Sequence, residues 1–240
     1  MNYNASVSDF FKASAWKNNM LLGAVTMFIP IIGPLVLTGW HVTGLWARGD
    51  HEEAADFPPF DFQYFSKYLE RGLWPFLVSL VSSLAVVPLY LCIFLPVVFF
   101  ASSGQGKDSD GLIIGVFLGM MGLQFLLAMF YQIFVTPLSL RAMITQDFKS
   151  SFDLRFAKQF VALTWKELFT SLIFMLGLWL CLMLIAIFTC YIGVFFAVPI
   201  VIFSWHHLQK QLYQVHLNRG GQAAPLSPKL RDLPPPLLPS

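Results

Sequence analysis

Apolar residues run along this chain in long unbroken stretches, not in the alternating pattern of a half-buried strand. Residues 111–140 and 168–205 contain no Asp, Glu, Lys or Arg. A helix needs about 20 apolar residues to cross ~30 Å of hydrocarbon, so the pattern predicts an all-α, polytopic transmembrane helical bundle. Its apolar segments fall near 20–46, 73–101, 111–140, 168–188 and 192–213, within a single transmembrane domain over 20–213. The block 168–205 has to supply most of two crossings, which requires a tight turn near Thr189-Cys190-Tyr191. In the first segment, Pro30 and Pro34 flank Gly33. Each proline removes a backbone donor and clashes with the preceding turn, so this segment is Pro-broken and either crosses with a kink or re-enters. The pattern therefore leaves four to five crossings open.

The polar intervals are organised too. Stretches near 60–72 and 150–166 read as amphipathic linkers. Residues 1–19 read as an interfacial segment, with Val7, Phe10, Phe11 and Ser14 near one helical face and Trp16-Lys17 at the entry to the apolar run. Lys12 and Lys17 precede that run as they would in a signal peptide. The two prolines and the want of a small-x-small cleavage site instead predict a retained membrane segment. Residues 214–240 are expected to form a disordered tail of polyproline II character, since 217–240 holds six of the fifteen prolines. Pro225-Leu226-Ser227-Pro228 fits a spaced-proline recognition pattern, although an inert tail is the simpler reading.

Composition agrees: 57% of residues are hydrophobic and 12% charged, against about a quarter charged in a soluble domain. The charges that remain also orient the chain. The linkers 47–72 and 141–167 and the chain from Lys210 onward hold twelve of the fifteen basic residues. The positive-inside rule puts those regions in the cytoplasm, the C-terminus with them, in a cell inner (cytoplasmic) membrane. If 20–46 re-enters, Lys12 and Lys17 join the same side and fourteen of fifteen agree.

The chain also resembles itself. At an offset of 92 residues, Phe60-Asp61 pairs with Phe152-Asp153, Tyr64 with Phe156, Tyr68 with Phe160 and Ser79-Leu80 with Ser171-Leu172. Upstream, Pro34-Leu35-Val36-Leu37 matches Pro137-Leu138-Ser139-Leu140. Each copy reads as an apolar segment with a proline, a basic linker, a Phe-Asp start and another membrane helix, which makes two parallel internal repeats. Asp61 and Asp153 suit helix starts, where a short carboxylate accepts from orphan amides and complements the dipole. A shared ligand or catalytic pair is the competing reading, and the sequence offers no acid–base partner for it.

The order of these motifs resembles a known family. Trp16-Lys17, Ile29-Pro30-Ile31-Ile32-Gly33-Pro34, Gly39-Trp40, Phe57-Pro58-Pro59-Phe60-Asp61 with Gly72-Leu73, Gly193-Val194-Phe195-Phe196-Ala197-Val198-Pro199, His207 and Leu212-Tyr213 are similar to the bacterial membrane proteins of domain of unknown function 4013. The resemblance spans about residues 10–215 and implies architecture, with no assigned reaction.

Candidate chemistry is sparse. Cys92, Cys181 and Cys190 lack metal or redox spacing and read as small buried hydrophobes. His41 reads as a polar packing residue, and His206-His207 as interfacial residues that point to different helix faces. Asp50-His51-Glu52-Glu53 with Asp56 is the densest group of oxygen and imidazole ligands, and a solvated loop accounts for it. Gly111, Gly115 and Gly119 form overlapping Gly-x-x-x-Gly units suited to close helix packing, internal or between copies. Pro137 and Pro199 join Pro30, Gly33 and Pro34 as structural positions. No nucleophile elbow, phosphate loop or metal motif is present, so we expect no enzyme, no cofactor and no metal. A net charge of +2 without a basic stripe excludes nucleic acid. The expected partners are membrane lipids and a second copy or other membrane proteins. A membrane scaffold or assembly component is the expected role. A permease or channel-like subunit for a neutral or amphipathic solute or lipid is the alternative.

Overall fold

Hydrocarbon offers no water to a backbone amide, so a spanning segment must bond its own N–H and C=O groups. The long apolar stretches accordingly fold as helices. The computed structural model describes residues 1–46, 57–102 and 110–230. Among the described residues the chain is all-helical: α1 (Tyr3–Lys12), α2 (Trp16–Thr26), α3 (Ile32–Trp46), α4 (Phe65–Ser102), α5 (Asp110–Thr145), α6 (Phe148–Ser151), α7 (Leu154–Phe188) and α8 (Ile192–Asn218). Four of these, α4, α5, α7 and α8, are long and apolar enough to cross a membrane. α4 runs for 38 residues through Pro75, Pro88 and Pro96 without ending.

The Pro-broken first segment folds into a hairpin. α2 and α3 have 11 and 15 residues, about 16 and 22 Å at ~1.5 Å per residue, and neither reaches across ~30 Å. A Cβ at Gly23 would lie 3.5 Å from Leu37 Cδ2, which pairs positions seven residues either side of Pro30. Further back, Asn19 Oδ1 accepts from the Phe60 amide at 2.8 Å, and the Phe60 ring packs 5.5 Å from Trp40. The reversal needs a left-handed residue, Ile31 at φ 66, and it needs Gly33, where a Cβ would collide with the Thr26 carbonyl. Pro34 stands in the first turn of α3, where its missing donor costs no helical bond.

The ends of the long helices meet at one polar end of the bundle. Arg141 (α5) pairs with Asp153 at 3.1 Å, Gln146 Nε2 donates to the Arg71 carbonyl (α4) at 3.3 Å, and Phe156 (α7) packs 5.3 Å from His216 (α8). The main core lies here, with Trp40, Phe156, Phe160, Phe203, Leu140 and Leu212 all essentially inaccessible. α7 turns into α8 through Cys190 and Tyr191 at φ 48 and 68, and Thr189 Oγ1 accepts from the Gly193 amide at 2.9 Å.

Three expectations need correction. The amphipathic stretches near 60–72 and 150–166 are not separate linkers. They are largely the first turns of α4 and α7, because nothing in them stops a helix once it has started. The tail expected to be disordered from 214 is ordered through Leu230. α8 continues to Asn218 and stops at Gly220 in left-handed conformation (φ 79). The chain then straps across the polar end, with Ser227 N donating to Ile144 O at 2.9 Å, Lys229 pairing with Glu70 at 2.7 Å and Leu230 fully buried. The cysteines, expected to be buried, are exposed on the helix surfaces. The acidic group at 50–56, the interhelical loop at 103–109 and Pro234-Pro235-Pro236 lie outside the described residues.

Candidate functional site

Two places in the structure carry features beyond packing. The first is a polar seam where α3 meets α8 and α4. His41 and His206, both buried, place their Nδ1 atoms 3.0 Å apart. A bond between two Nδ1 atoms requires a proton on one and none on the other, so the two imidazoles hold opposite tautomers. Phe203 and Phe57 close the box, with ring centroids 5.6 and 6.2 Å from His41. His207 points away from this pair and bonds Asp9 of α1 at 3.3 Å and Gln211 at 3.1 Å. Adjacent histidines thus serve two interfaces, as their helical positions require.

The seam continues to Arg71, whose Nη1 donates to Thr43 Oγ1 at 2.8 Å and whose Nη2 donates to the Lys229 carbonyl at 2.8 Å. Gln146 Nε2 also donates to Met143 O at 2.8 Å. Arg141 lies over the Phe156 ring at 5.0 Å while its Nη2 pairs with Asp153 and its Nε donates to the Ser150 carbonyl at 2.7 Å, so a carboxylate, a carbonyl and a π face share the cation. Sequence reading counted Arg71 and Arg141 as linker charges. Their signal was position: each adjoins a charge-free stretch, Arg71 as the last charge before one and Arg141 as the first after one, where burying a charge requires a dedicated partner. Arg219, just past α8, forms a bidentate pair with Glu167, and that carboxylate raises the guanidinium pKa above its ordinary value.

The second place is a groove of about 330 Å³ between α5, α7 and α8. Phe125, Met129, Leu176, Trp179 and Trp205 line it, and Gln132 is its one amide side chain.

The positions singled out in the sequence are distributed as follows. Asp61 accepts from the Gln63 amide at 2.9 Å and caps the turn leading into α4. Asp153 accepts from the Arg155 and Phe156 amides at 3.0 and 3.1 Å and caps α7. The two aspartates sit at helix starts and do not converge on one site. Pro30, Gly33 and Pro34 form the hairpin turn, whereas Pro137 lies inside α5 and Pro199 inside α8, against Gly23. Of the glycines on α5, a Cβ at Gly115 or Gly119 meets nothing within 4 Å, so neither packs internally. Gly111 lies in the first turn of the same helix. Close helix-to-helix backbone approach falls instead at Gly39 and Gly72, where a Cβ would collide with the Tyr68 and Leu35 carbonyls and hold α3 and α4 apart.

Long apolar helices, a hairpin too short to cross and a polar end sealed by ion pairs together define a multi-pass membrane protein of the helical class. The chain belongs to a family of that kind: residues 22–191 match the model for the protein family of unknown function DUF4013. No curated protein and no solved structure matches it.

Proposed function

We propose that this chain is a non-enzymatic scaffold or assembly component of the cytoplasmic membrane, with its polar end and C-terminus in the cytoplasm. Its α4–α5 arm is the surface on which a second copy or another membrane protein packs. One observation supports this above others. In the most apolar stretches of α4 and α5, 6% of residues are buried within the chain, against 22% in α7 and 44% in α8. The arm is therefore nearly bare where it crosses lipid, and Gly115, Gly119 and Gly122 leave backbone open to close approach. Small residues at such spacing let helices approach closely enough for dispersion to hold them.

The test exploits that openness. Gly119→Leu adds a side chain that meets nothing within the chain, so we expect an unchanged unfolding midpoint together with loss of complexes captured by cross-linking in native membranes. Complexes that persist in the variant sink the proposal. The reading as a permease or channel-like subunit draws on the groove, but a solute path calls for polar lining and the groove is almost wholly apolar.

A further inference from the structure

We propose that the groove between α5, α7 and α8 is a binding site for one phospholipid acyl chain. Its walls come from 125–132, 172–179 and 201–205, all within charge-free stretches, so the material that meets it in a bilayer is lipid hydrocarbon. The walls run about two helical turns, roughly 11 Å at ~1.5 Å per residue, and the space of about 330 Å³ between them is lined by apolar side chains with Gln132 as the one amide. An extended hydrocarbon chain suits a slot of that length and chemistry, since it brings no polar group that would go unbonded there.

The lining suits that occupant. Met129 and Met175 adapt to an irregular flexible chain, and the Trp179 and Trp205 rings give it broad apolar faces. The structure also orients the chain. Two turns from Leu172 toward the polar end, the same face of α7 carries Trp165, with the Lys166 ammonium 5.5 Å from its ring centroid. A Trp–Lys pair anchors a helix at headgroup depth, which places the lipid phosphate at Lys166 and its chain in the groove. This site does not depend on the scaffold reading: association through α4–α5 can fail while the groove still holds a chain.

The test uses the full-length protein in nanodiscs of phosphatidylethanolamine and phosphatidylglycerol, with a trace of phospholipid bearing a diazirine in its acyl chain. After photolysis, labelled peptides are mapped by mass spectrometry. We expect labels concentrated on 125–132, 172–179 and 201–205, in excess over the exposed face of α4 near 84–95. Ala128→Trp fills the groove from α5 and should lower groove labelling roughly tenfold, the scale of an overfilled apolar site, while α4 labelling stays as before. Leu176→Trp fills it from α7 and serves if the first variant does not fold. Labelling spread evenly over all exposed helix faces of the wild type overturns the proposal, as does a groove signal unchanged in a folded filled variant. A polypeptide cross-linked in the groove of protein from native membranes overturns it equally.

Discussion

Asp61 and Asp153 occupy matching places in the sequence and carry different loads in the structure. Asp61 accepts one backbone amide at the start of a 3-10 turn. Asp153 accepts two and also neutralises Arg141, whose side chain is only 10% exposed. Asp61→Ala should therefore cost about 1 kcal/mol, the worth of an exposed cap. Asp153→Ala should cost about 2–3 kcal/mol, because a largely buried guanidinium also loses its charged partner. Thermal unfolding in detergent checks both, and equal shifts would contradict the assignment. The caps were legible, since a short acid before an apolar run has few other uses. The Arg141 pair was not, because its partners stand twelve residues apart across a turn and α6. Glycine behaves the same way: spacing marked Gly111, Gly115 and Gly119, whereas two of the contacts that need glycine are at Gly39 and Gly72, where two helices approach backbone to backbone.

Among the elements, the four long helices could be read from charge-free length alone, and their bounds differ from the apolar segments mainly where amphipathic turns extend them. The tail could not. Proline content and weak periodicity predicted disorder through 214–240, yet 219–230 finds partners on four helices, α4, α5, α7 and α8. Leu230 is fully buried, and the Arg71 guanidinium donates to the Lys229 carbonyl. A strap has little periodicity of its own, because many of its hydrogen bonds go to other elements and not to neighbours in sequence. Leu230→Ala should lower stability by about 2–3 kcal/mol, at the low end for a buried leucine since the strap can relax. The unfolding midpoint measures it, and a variant that melts with the wild type would show the strap to be loosely held. α1 was expected at the interface. It is a helix whose Phe10 is buried against Phe203 of α8 at 5.4 Å, so it is packed to the bundle along at least one face.

At the scale of the whole molecule, the count of crossings decides where each polar segment lies. With α2–α3 a hairpin, four spanning helices put the N-terminal segment, the 141–167 region and the tail at one end. Reporter fusions after Gly104 and after Arg219 should report opposite sides of the membrane, and a fusion at Asn4 should agree with Arg219. Asn4 on the Gly104 side would mean that 20–46 crosses. The two copies suggested by the sequence share a capped helix start and differ before it: Pro34 lies at the hairpin turn, far from the Phe60 end of its helix, while Pro137 lies two turns from the end of α5. The sequence by itself determined the membrane, the four long helices and the break at Pro30–Pro34, because hydrocarbon length and proline stereochemistry act locally along the chain. Only the tertiary structure decided that the break is a reversal, that His41 meets His206, that 219–230 is a strap and that Gly115 and Gly119 face outward. Each of these depends on a surface supplied by a segment distant in sequence, and no local pattern encodes which surface that is.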